Sequence, residues 1–494
     1  MKRFLSFFLL LALTLTCLFV FSSCKKKGDD DDGPAARLFD ESGLLCVRRD
    51  GKFGFINKKG IEVIPCEYSS ADRFRNGASV VVKEKGGACS FIGTDGEPLF
   101  LRTFSSAYPF DAFDRAIVHT TEDGPAELIN KAGETVFSAP EIDSTGTGRY
   151  LYKTEDGKMG AVDPNGTVVL EPKYEMLYCC YEEVQNDYNV GASVPVTDRL
   201  NAMVENGEGE SVWALIDYEG NAIYTLGKGD QSSYFYNGKM FVQKKDGGFQ
   251  VIDRDGNVIA TCAGEVVGAK ASYIIVDVSE DSPESIDQHG QCVLYDWNGE
   301  VVYDFRGTGY TPKQGFGFGA NDFVVRDSQT GKYGLINLKG ESVVPCEYDY
   351  VGYSDANGNA VCEKDGAYYV INRKGKTVFD VACDYLVTSD YFAGDYYLAC
   401  NREGADRETY KLLNRKGKTV KSFGSEYSFG FFTPASSPAP YGQEALCVYY
   451  ADGYLAVRDA ETETFVIMQK KSKKKFNVIN IGLYDYLNLP TYFD

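Results

Sequence analysis

Histidine, the residue that most often serves as a catalytic base, is almost missing: there are two in 494 residues, His119 and His289. The chain has no GxSxG, HExxH or Walker motif, and its fourteen cysteines include no CxxC pair. Because structural zinc sites draw on closely spaced Cys and His residues, a zinc site is not expected. The sequence therefore predicts no catalytic residue, no metal and no cofactor.

Positive charge is also scarce. Lys and Arg total 51 residues against 71 Asp and Glu, which gives a net charge of −20. No basic stretch with interleaved aromatic residues is present, so nucleic acid is not an expected partner. An acidic surface of this size first of all keeps a protein soluble.

Long apolar runs are confined to the N-terminus. A short basic start precedes FLSFFLLLALTLTCLFVF, which ends two residues before Cys24. This order predicts a secretory signal at residues 1–23 rather than a membrane span of the mature chain. The following KKKGDDDDGPA predicts a charged, flexible tether over residues 24–37. Residues 38–494 remain for the folded region.

The small residues before Cys24 resemble the lipobox of bacterial lipoproteins, in which the cysteine becomes the lipidated first residue. The resemblance implies attachment through Cys24 to a membrane of the bacterial cell envelope, with the outer membrane and its surface as the expected location. An ordinary cleaved signal with a chance cysteine is the alternative. A single acyl chain binds a membrane only marginally, so firm anchoring needs the several chains of a lipoprotein.

Two stretches 280 residues apart are nearly identical: GKFGFINKKGIEVIPCEY (51–68) and GKYGLINLKGESVVPCEY (331–348) share 12 of 18 positions. Their central pattern, a hydrophobe followed by Asn or Asp, two residues and Gly, recurs every 33 to 54 residues. A weaker eleventh copy, AVRDAE, lies at 456–461. The copies are FINKKG (Asn57, Gly60), FIGTDG (Gly96), LINKAG (Gly133), AVDPNG (Gly166), LIDYEG (Asp217, Gly220), VIDRDG (Asp253, Gly256), LYDWNG (Gly299), LINLKG (Asn337, Gly340), VINRKG (Asn372, Gly375) and LLNRKG (Asn414, Gly417).

A second glycine usually precedes each copy, often as Asp-Gly. Asp-Gly between β-rich segments predicts a hairpin, because Gly accepts a positive φ without a Cβ clash. Asn/Asp-x-x-Gly predicts another turn, in which the side chain caps backbone amides and Gly is left-handed. Each unit is then a β-meander of about 40 residues with three or four short strands. The Asp-Gly pairs are Asp50-Gly51, Asp123-Gly124, Asp156-Gly157, Asp246-Gly247 and Asp365-Gly366.

A meander of this size cannot bury its own face, so neighbouring units must cover it. The sequence therefore predicts an all-β fold of tandem repeats with propeller-like packing, and an open β-solenoid is the alternative. About eleven units exceed the ~4–8 blades of typical propellers, which leaves two rings, one large ring or an open array. An insertion at residues 178–211 is interpreted as a functional loop or a boundary between rings.

With these residues laid out, the chain resembles bacterial WG-repeat proteins (the KWG-type repeat). Their pattern is Gly-Lys-aromatic-Gly-x-Ile-Asn/Asp-x-x-Gly, followed by a Val/Ile-Pro-x-x-Tyr corner; here Phe, Tyr or Met replaces the defining Trp. The resemblance spans residues 43–461 and implies a β-repeat architecture, often in envelope proteins, without a common catalytic activity. The pattern stands at Gly51, Lys52, Phe53, Gly54, Ile56, Asn57, Gly60, Pro65 and Tyr68, and again at Gly331, Lys332, Tyr333, Gly334, Ile336, Asn337, Gly340, Pro345 and Tyr348.

Aromatic residues are concentrated at 234–238, 348–353 and 383–400. Exposed Tyr is typical of recognition surfaces, and aromatics beside carboxylates suit sugars or peptides; the alternative is that these rings fill the space between sheets. The turns at Asp163 and Asp253 lack the further oxygen ligands of a Ca²⁺ loop. The expected function is a non-enzymatic, envelope-anchored scaffold that binds an unidentified protein, peptide or glycan. A secreted hydrolase is the alternative.

Overall fold

Every regular element in the described part of the chain is a β-strand, and no helix occurs there. The computed structural model describes residues 38–185, 191–278, 291–313, 322–355, 357–388, 395–402, 408–428, 448–451, 453–459, 464–472, 475–481, 484 and 486–487. Within these ranges no helix is long and apolar enough to cross a membrane. The all-β prediction is confirmed. The predicted signal peptide, Cys24 and the tether lie outside the described residues.

The strands of the described ranges form ten sheets, and division of the one nine-stranded sheet into two gives eleven consecutive groups, called blades 1 to 11. Blade 1 holds β1 (Leu44–Arg49), β2 (Lys52–Asn57) and β3 (Glu62–Tyr68), and blade 2 holds β4 (Ser70–Ala71), β5 (Ser79–Val82) and β6 (Cys89–Ile92). Blade 3 holds β7 (Ser106–Ala107), β8 (Ala116–His119), β9 (Ala126–Ile129) and β10 (Thr135–Ala139), and blade 4 holds β11 (Glu141–Ser144), β12 (Tyr150–Lys153), β13 (Met159–Val162) and β14 (Val168–Tyr174). Blade 5 holds β15 (Leu177–Gln185), β16 (Gly191–Glu205), β17 (Ser211–Ile216) and β18 (Ala222–Thr225), and blade 6 holds β19 (Gln231–Ser232), β20 (Phe235–Tyr236), β21 (Lys239–Gln243), β22 (Phe249–Asp253) and β23 (Val258–Cys262).

In blades 7 to 10, strands that are consecutive in the chain are neighbours in the sheet, whereas in blade 11 the first two strands both pair with the third. Blade 7 holds β24 (Glu265–Ala269), β25 (Ile274–Asp277), β26 (Cys292–Tyr295) and β27 (Val301–Asp304), and blade 8 holds β28 (Tyr310–Pro312), β29 (Asp322–Asp327), β30 (Tyr333–Asn337) and β31 (Ser342–Tyr348). Blade 9 holds β32 (Tyr350–Ser354), β33 (Asn359–Lys364), β34 (Ala367–Asn372) and β35 (Thr377–Val381), and blade 10 holds β36 (Tyr385–Val387), β37 (Tyr396–Arg402), β38 (Glu408–Asn414) and β39 (Thr419–Phe423). Blade 11 holds β40 (Tyr427–Ser428), β41 (Val448–Ala451), β42 (Tyr454–Asp459), β43 (Phe465–Ser472) and β44 (Lys475–Ile481). A last strand, β45 (Tyr486–Leu487), returns to blade 1 and pairs with β1.

The Asp-Gly hairpins join the second and third strands of a blade, where β45 counts as the first strand of blade 1. Asp50 and Gly51 have φ values of 53° and 75°, and Asp365 and Gly366 have 53° and 74°. Two consecutive positive φ values are the geometry of a type I′ turn, whose twist matches that of the flanking strands. The other three Asp-Gly pairs differ, because Asp123, Asp156 and Asp246 do not have a positive φ, and neither does Gly124. In these hairpins the N–H groups of Gly124, Gly157 and Gly247 donate to the carbonyl groups of Thr121, Thr154 and Lys244.

The Asn/Asp-x-x-Gly turns join the third and fourth strands. In blade 1, Oδ1 of Asn57 accepts hydrogen bonds from the backbone N–H groups of Lys59 and Ile61, at 2.9 and 3.2 Å. The ten turn glycines have φ between 71° and 84°, the region that L side chains avoid. The same pair of side-chain to backbone bonds forms at Asn130, Asp163, Asp217, Asp253, Asp296, Asn337, Asn372 and Asn414.

The turn glycines also allow blades to approach each other. A Cβ on Gly375 of blade 9 would lie 2.8 Å from the carbonyl oxygen of Val343 in blade 8, and one on Gly256 would lie 2.4 Å from that of Ile223. Each such contact reaches the fourth strand of the preceding blade. The turns therefore serve packing between blades as well as chain reversal.

In blades 1, 4 and 8 another glycine, the one in the third strand, lies against a β-bulge of the fourth strand. A Cβ on Gly54 would lie 2.6 Å from both the carbonyl oxygen of Ile64 and the N atom of Cys66, because the β2–β3 register shifts at this point. Gly160 and Gly334 meet the backbone of their own fourth strands in the same way. This glycine thus lets the bulged strand lie directly against its neighbour.

The hydrophobic core is a circuit of eleven clusters in the described residues, each shared by two consecutive blades. The cluster between blades 11 and 1 contains Val47, Ile56, Ile467 and Tyr484. Together with the β1–β45 pairing it closes the circuit, so every blade is covered on both faces. This is the arrangement of a propeller with one large ring, whereas an open solenoid would leave its end sheets uncovered.

The insertion at 178–211 forms most of one long hairpin, made of β15 and β16. Core clusters continue across it from blade 4 to blade 5 and from blade 5 to blade 6, so its interpretation as a ring boundary is wrong. β15 pairs in parallel with β20, with Glu182 opposite Phe235, which joins blades 5 and 6 into a nine-stranded sheet. Cys179 and Cys180 of this hairpin are free thiols.

Candidate functional site

The structure divides the three aromatic-rich segments into buried and exposed rings. Many of them fill the core between blades, as the alternative interpretation held; Tyr348, Tyr396 and Tyr397 are at most 7% exposed. Tyr350 and Tyr385, in contrast, are each 41% exposed. Tyr234, in the first segment, is also exposed, at 51%, but only Tyr350 and Tyr385 belong to the two segments in blades 9 and 10.

Tyr350 and Tyr385 hold equivalent positions, because each begins the first strand of its blade, β32 or β36. An aspartate precedes each one. Oδ2 of Asp349 accepts a hydrogen bond of 2.9 Å from the N–H of Asp365 in the next hairpin, and Oδ2 of Asp384 accepts one of 2.7 Å from Arg402 N–H. Each carboxylate thus fixes the strand start from which the tyrosine projects.

Cross-strand register brings a carboxylate and a third tyrosine beside Tyr350. Glu363 of β33 lies opposite Tyr350 on one side and opposite Tyr368 of β34 on the other, and directly opposed residues point to the same face of a sheet. The rings of Tyr368 and Tyr385 then meet across blades 9 and 10, with centroids 6.2 Å apart at 74°. We call Tyr350, Glu363, Tyr368 and Tyr385 the tyrosine patch.

Burial and a neighbouring charge keep the hydroxyl group of Tyr368 protonated. Partial burial, reinforced by the charge of Glu363, raises the pKa of Tyr368 to about 12, so its hydroxyl remains a donor at any physiological pH. Nζ of Lys313 lies 4.0 Å from the ring centroid of Tyr350 and donates to the carbonyl of Val351 at 2.8 Å. The patch therefore combines aromatic faces with a carboxylate, and the ammonium group of Lys313 adjoins it, which suits stacking and hydrogen bonding with a polar ligand.

The sequence pointed to the tyrosines but not to Glu363, Asp349, Asp384 or Lys313. Glu363 and Lys313 are ordinary charged residues in their own segments, and only strand pairing places them beside the patch. The Asp-Tyr pairs at 349–350 and 384–385 were the signal that could have identified the two aspartates.

Other sequence candidates do not converge on a catalytic or metal arrangement. The carboxylates of Asp163 and Asp253 accept backbone N–H groups inside their turns, and no group of three His, Cys, Asp or Glu in the described ranges could hold a metal ion. Nζ of Lys470, in β43, lies 2.9 Å from Oδ2 of Asp395.

Comparison with family models matches the WG containing repeat at residues 53–86, 159–183 and 333–368. Each match begins one residue before the glycine that lies under the bulge. The chain contains WG repeats. In all three, the residue at the Trp position is paired across the sheet with the corner tyrosine, as Phe53 is with Tyr68 and Tyr333 with Tyr348. Comparison with curated proteins finds no match.

Several solved structures are similar to this WG-repeat chain at low identity. A eukaryotic initiation factor structure is 10% identical, with 77% of this chain and 95% of that chain covered and a TM-score of 0.34. BamB from Moraxella catarrhalis is 13% identical, with 65% of this chain and 91% of that chain covered and a TM-score of 0.23. Kluyveromyces lactis Hsv2p is 10% identical, with 63% of this chain and 98% of that chain covered and a TM-score of 0.28. The fold assignment rests on strand order and core contacts.

Proposed function

We propose that this WG-repeat chain is a non-enzymatic binding scaffold of the bacterial cell envelope, anchored through Cys24, that uses the tyrosine patch to hold a glycan, peptide or protein partner. The chain is a β-repeat scaffold, and the patch is the observation that carries the proposal. Two exposed tyrosines, Tyr350 and Tyr385, hold equivalent positions of adjacent blades, and Glu363 and Tyr368 connect them across the sheet. A closed ring supports such a surface with little entropy lost on binding.

A glycan is the partner class that the patch chemistry favours. Aromatic rings can stack on the apolar faces of sugar rings, while Glu363 accepts and Lys313 donates hydrogen bonds to hydroxyl groups. Tyr350 and Tyr385 lie in successive blades, so an extended chain could contact both. A peptide would use the same rings through hydrophobic contact.

The binding test uses the chain from residue 25 onward, which keeps the whole ring. We expect envelope polysaccharide fragments on a glycan array to be retained, and the double change Tyr350→Ala and Tyr385→Ala to weaken binding by about tenfold or more. Tyr108→Ala, at an exposed tyrosine outside the patch (65% exposed), is the matched control and should bind normally. Equal binding by all three proteins would contradict the role of the patch, and hydrolysis of the glycan would favour the hydrolase alternative.

The anchoring test changes Cys24 to Ala. Because the proposed acyl chains are attached to that sulfur and amino terminus, the variant should leave the membrane fraction, and the parent chain should stay in it. Metabolic labelling with a fatty acid provides a second readout. Unchanged partitioning and unchanged labelling would show that Cys24 is not the anchor.

A further inference from the structure

The third-to-fourth-strand turns of six consecutive blades differ sharply in charge. Blades 8 to 10 carry a basic arc, and blades 5 to 7 carry an acidic arc on the same end of their sheets. Most of these side chains are exposed. The blade 8 turn is neutral, because Lys339 is followed by Glu341, and Arg415 of blade 10 lies 3.3 Å from Asp395. The basic arc is Lys339, Arg373, Lys374, Lys376, Arg415, Lys416 and Lys418, and the acidic arc is Asp217, Glu219, Asp253, Asp255, Asp296 and Glu300.

Contacts between blades make these turns neighbours. Gly375 packs on Val343, which follows Gly340 by three residues, and Gly417 packs on Phe379, which follows Gly375 by four. At about 3.3 Å per strand residue, successive turns are therefore roughly 10–13 Å apart. That is close to the screening length of about 10 Å at 0.1 M salt, so each arc acts as one charged surface.

The same contacts run through the acidic arc and join it to the basic one. Gly256 packs on Ile223, Gly299 on Ala260 and Gly340 on Tyr303. A hydrogen bond from the side chain of Asn257 holds the pKa of Asp253 below its usual value, which keeps that carboxylate charged at neutral pH. Three cations lie inside the acidic arc and reduce its charge without reversing it. Arg254 is paired with Glu182 and Asp198, Arg199 lies 3.3 Å from Asp255, and Nζ of Lys239 lies 2.9 Å from Oδ1 of Asn298. One edge thus has an acidic half and a basic half that meet between blades 7 and 8.

We propose that this edge is the interface of a symmetric dimer, with a second copy of the chain as its partner. A two-fold axis between blades 7 and 8 sets the turn of blade 8 opposite that of blade 7, blade 9 opposite blade 6 and blade 10 opposite blade 5. Such an interface is isologous, so each basic arc meets the acidic arc of the other copy. Lys374 then faces Asp255, and Lys416 faces Glu219.

A second copy fits this edge better than a polyanion or a basic protein does. A polyanion would satisfy the basic arc and be repelled by the acidic one, and a basic partner would have the reverse problem. The net charge of −20 opposes association at long range, and single exposed pairs contribute little. The dimer is therefore weak and dissociates as salt rises. The tyrosine patch, at the opposite ends of the sheets, stays free.

Sedimentation velocity of the chain from residue 25 onward, over a concentration series at low and high salt, tests the proposal. Two charge-reversal variants are compared: Lys374→Glu with Lys416→Glu, and Glu219→Lys with Asp255→Lys. We expect each variant alone to dimerise at least tenfold more weakly than the parent chain. An equal mixture of the two should dimerise again, because both of its interfaces regain opposite charges. Circular dichroism and the melting temperature control for folding, since all four side chains are exposed.

Two results would overturn the proposal. One is a parent chain that stays monomeric at low salt up to its solubility limit; if it then binds an anionic polysaccharide through Lys374 and Lys416, the basic arc serves a polyanion instead. The other is a dimer that both variants form as readily as the parent chain. Neither outcome concerns Tyr350 or Tyr385, so the glycan test of the proposed function remains independent.

Discussion

At the scale of single residues, glycine performs two separate tasks in this fold. Gly366 has a positive φ and open space around its Cα, so only backbone conformation requires it. Gly340 has a positive φ of 78°, and a Cβ there would also lie 2.3 Å from Cε2 of Tyr303 in the preceding blade. The first requirement can be read from a short motif. The second depends on a residue 37 positions away.

The pair Gly340→Ala and Gly366→Ala separates these tasks. Both substitutions force an L residue into the left-handed region, at about 1–3 kcal/mol, but only the first also displaces Tyr303. In urea denaturation, we expect Gly340→Ala to lower the free energy of unfolding more than Gly366→Ala does, by about 1 kcal/mol or more. Gly340→Val should be more severe still. Equal losses for the two alanine variants would show that the turn does not pack on blade 7.

At the scale of elements, the bulge in the fourth strand explains why a glycine follows the Trp position of the WG repeat. Gly54 has an ordinary φ, so backbone freedom is not the reason for glycine there. The reason is the bulge around Pro65, which brings the backbone of Ile64 and Cys66 against Gly54. The sequence showed that Gly54, Gly160 and Gly334 recur, but the spacing alone could not show which strand presses on them.

Gly54→Ala is therefore expected to destabilise the chain by about 2 kcal/mol or more, since β3 must move away from β2 to admit a methyl group. Gly207→Ala is the matched control: its φ is ordinary and nothing lies within 4 Å of its added Cβ. That change should stay within about 0.5 kcal/mol of the parent chain. Thermal and urea denaturation of both variants provide the measurement, and a neutral Gly54→Ala would mean that the bulge does not contact β2.

At the scale of the whole molecule, closure joins two ends that are more than 400 residues apart. Val47 and Arg48 pair with Leu487 and Tyr486, and Tyr484 is 1% exposed in the cluster that blades 11 and 1 share. Since each blade needs both neighbours to cover its apolar faces, closure stabilises the first and last blades more than the others.

A chain that ends at Ile481 lacks both Tyr484 and β45. Loss of a buried aromatic residue of this size should lower the free energy of unfolding by about 3–5 kcal/mol, and amide hydrogen exchange in β1 should become faster. A chain that ends at Leu487 keeps both features and is the control. Slow exchange at Val47 and Arg48 in the shorter chain would contradict closure through the C-terminus.

The sequence by itself determined the local structure: the turns, the strands between them and the tandem all-β architecture. These depend on interactions within a few residues, such as Asn57 capping Lys59, so short motifs predict where the turns lie, although the turn type at Asp123-Gly124 differs. Only the tertiary structure decided that one ring closes, that the 178–211 insertion is a hairpin of blade 5, and that Glu363 lies between Tyr350 and Tyr368. Those outcomes depend on register and on packing between distant segments, and no local pattern encodes which strand lies against which.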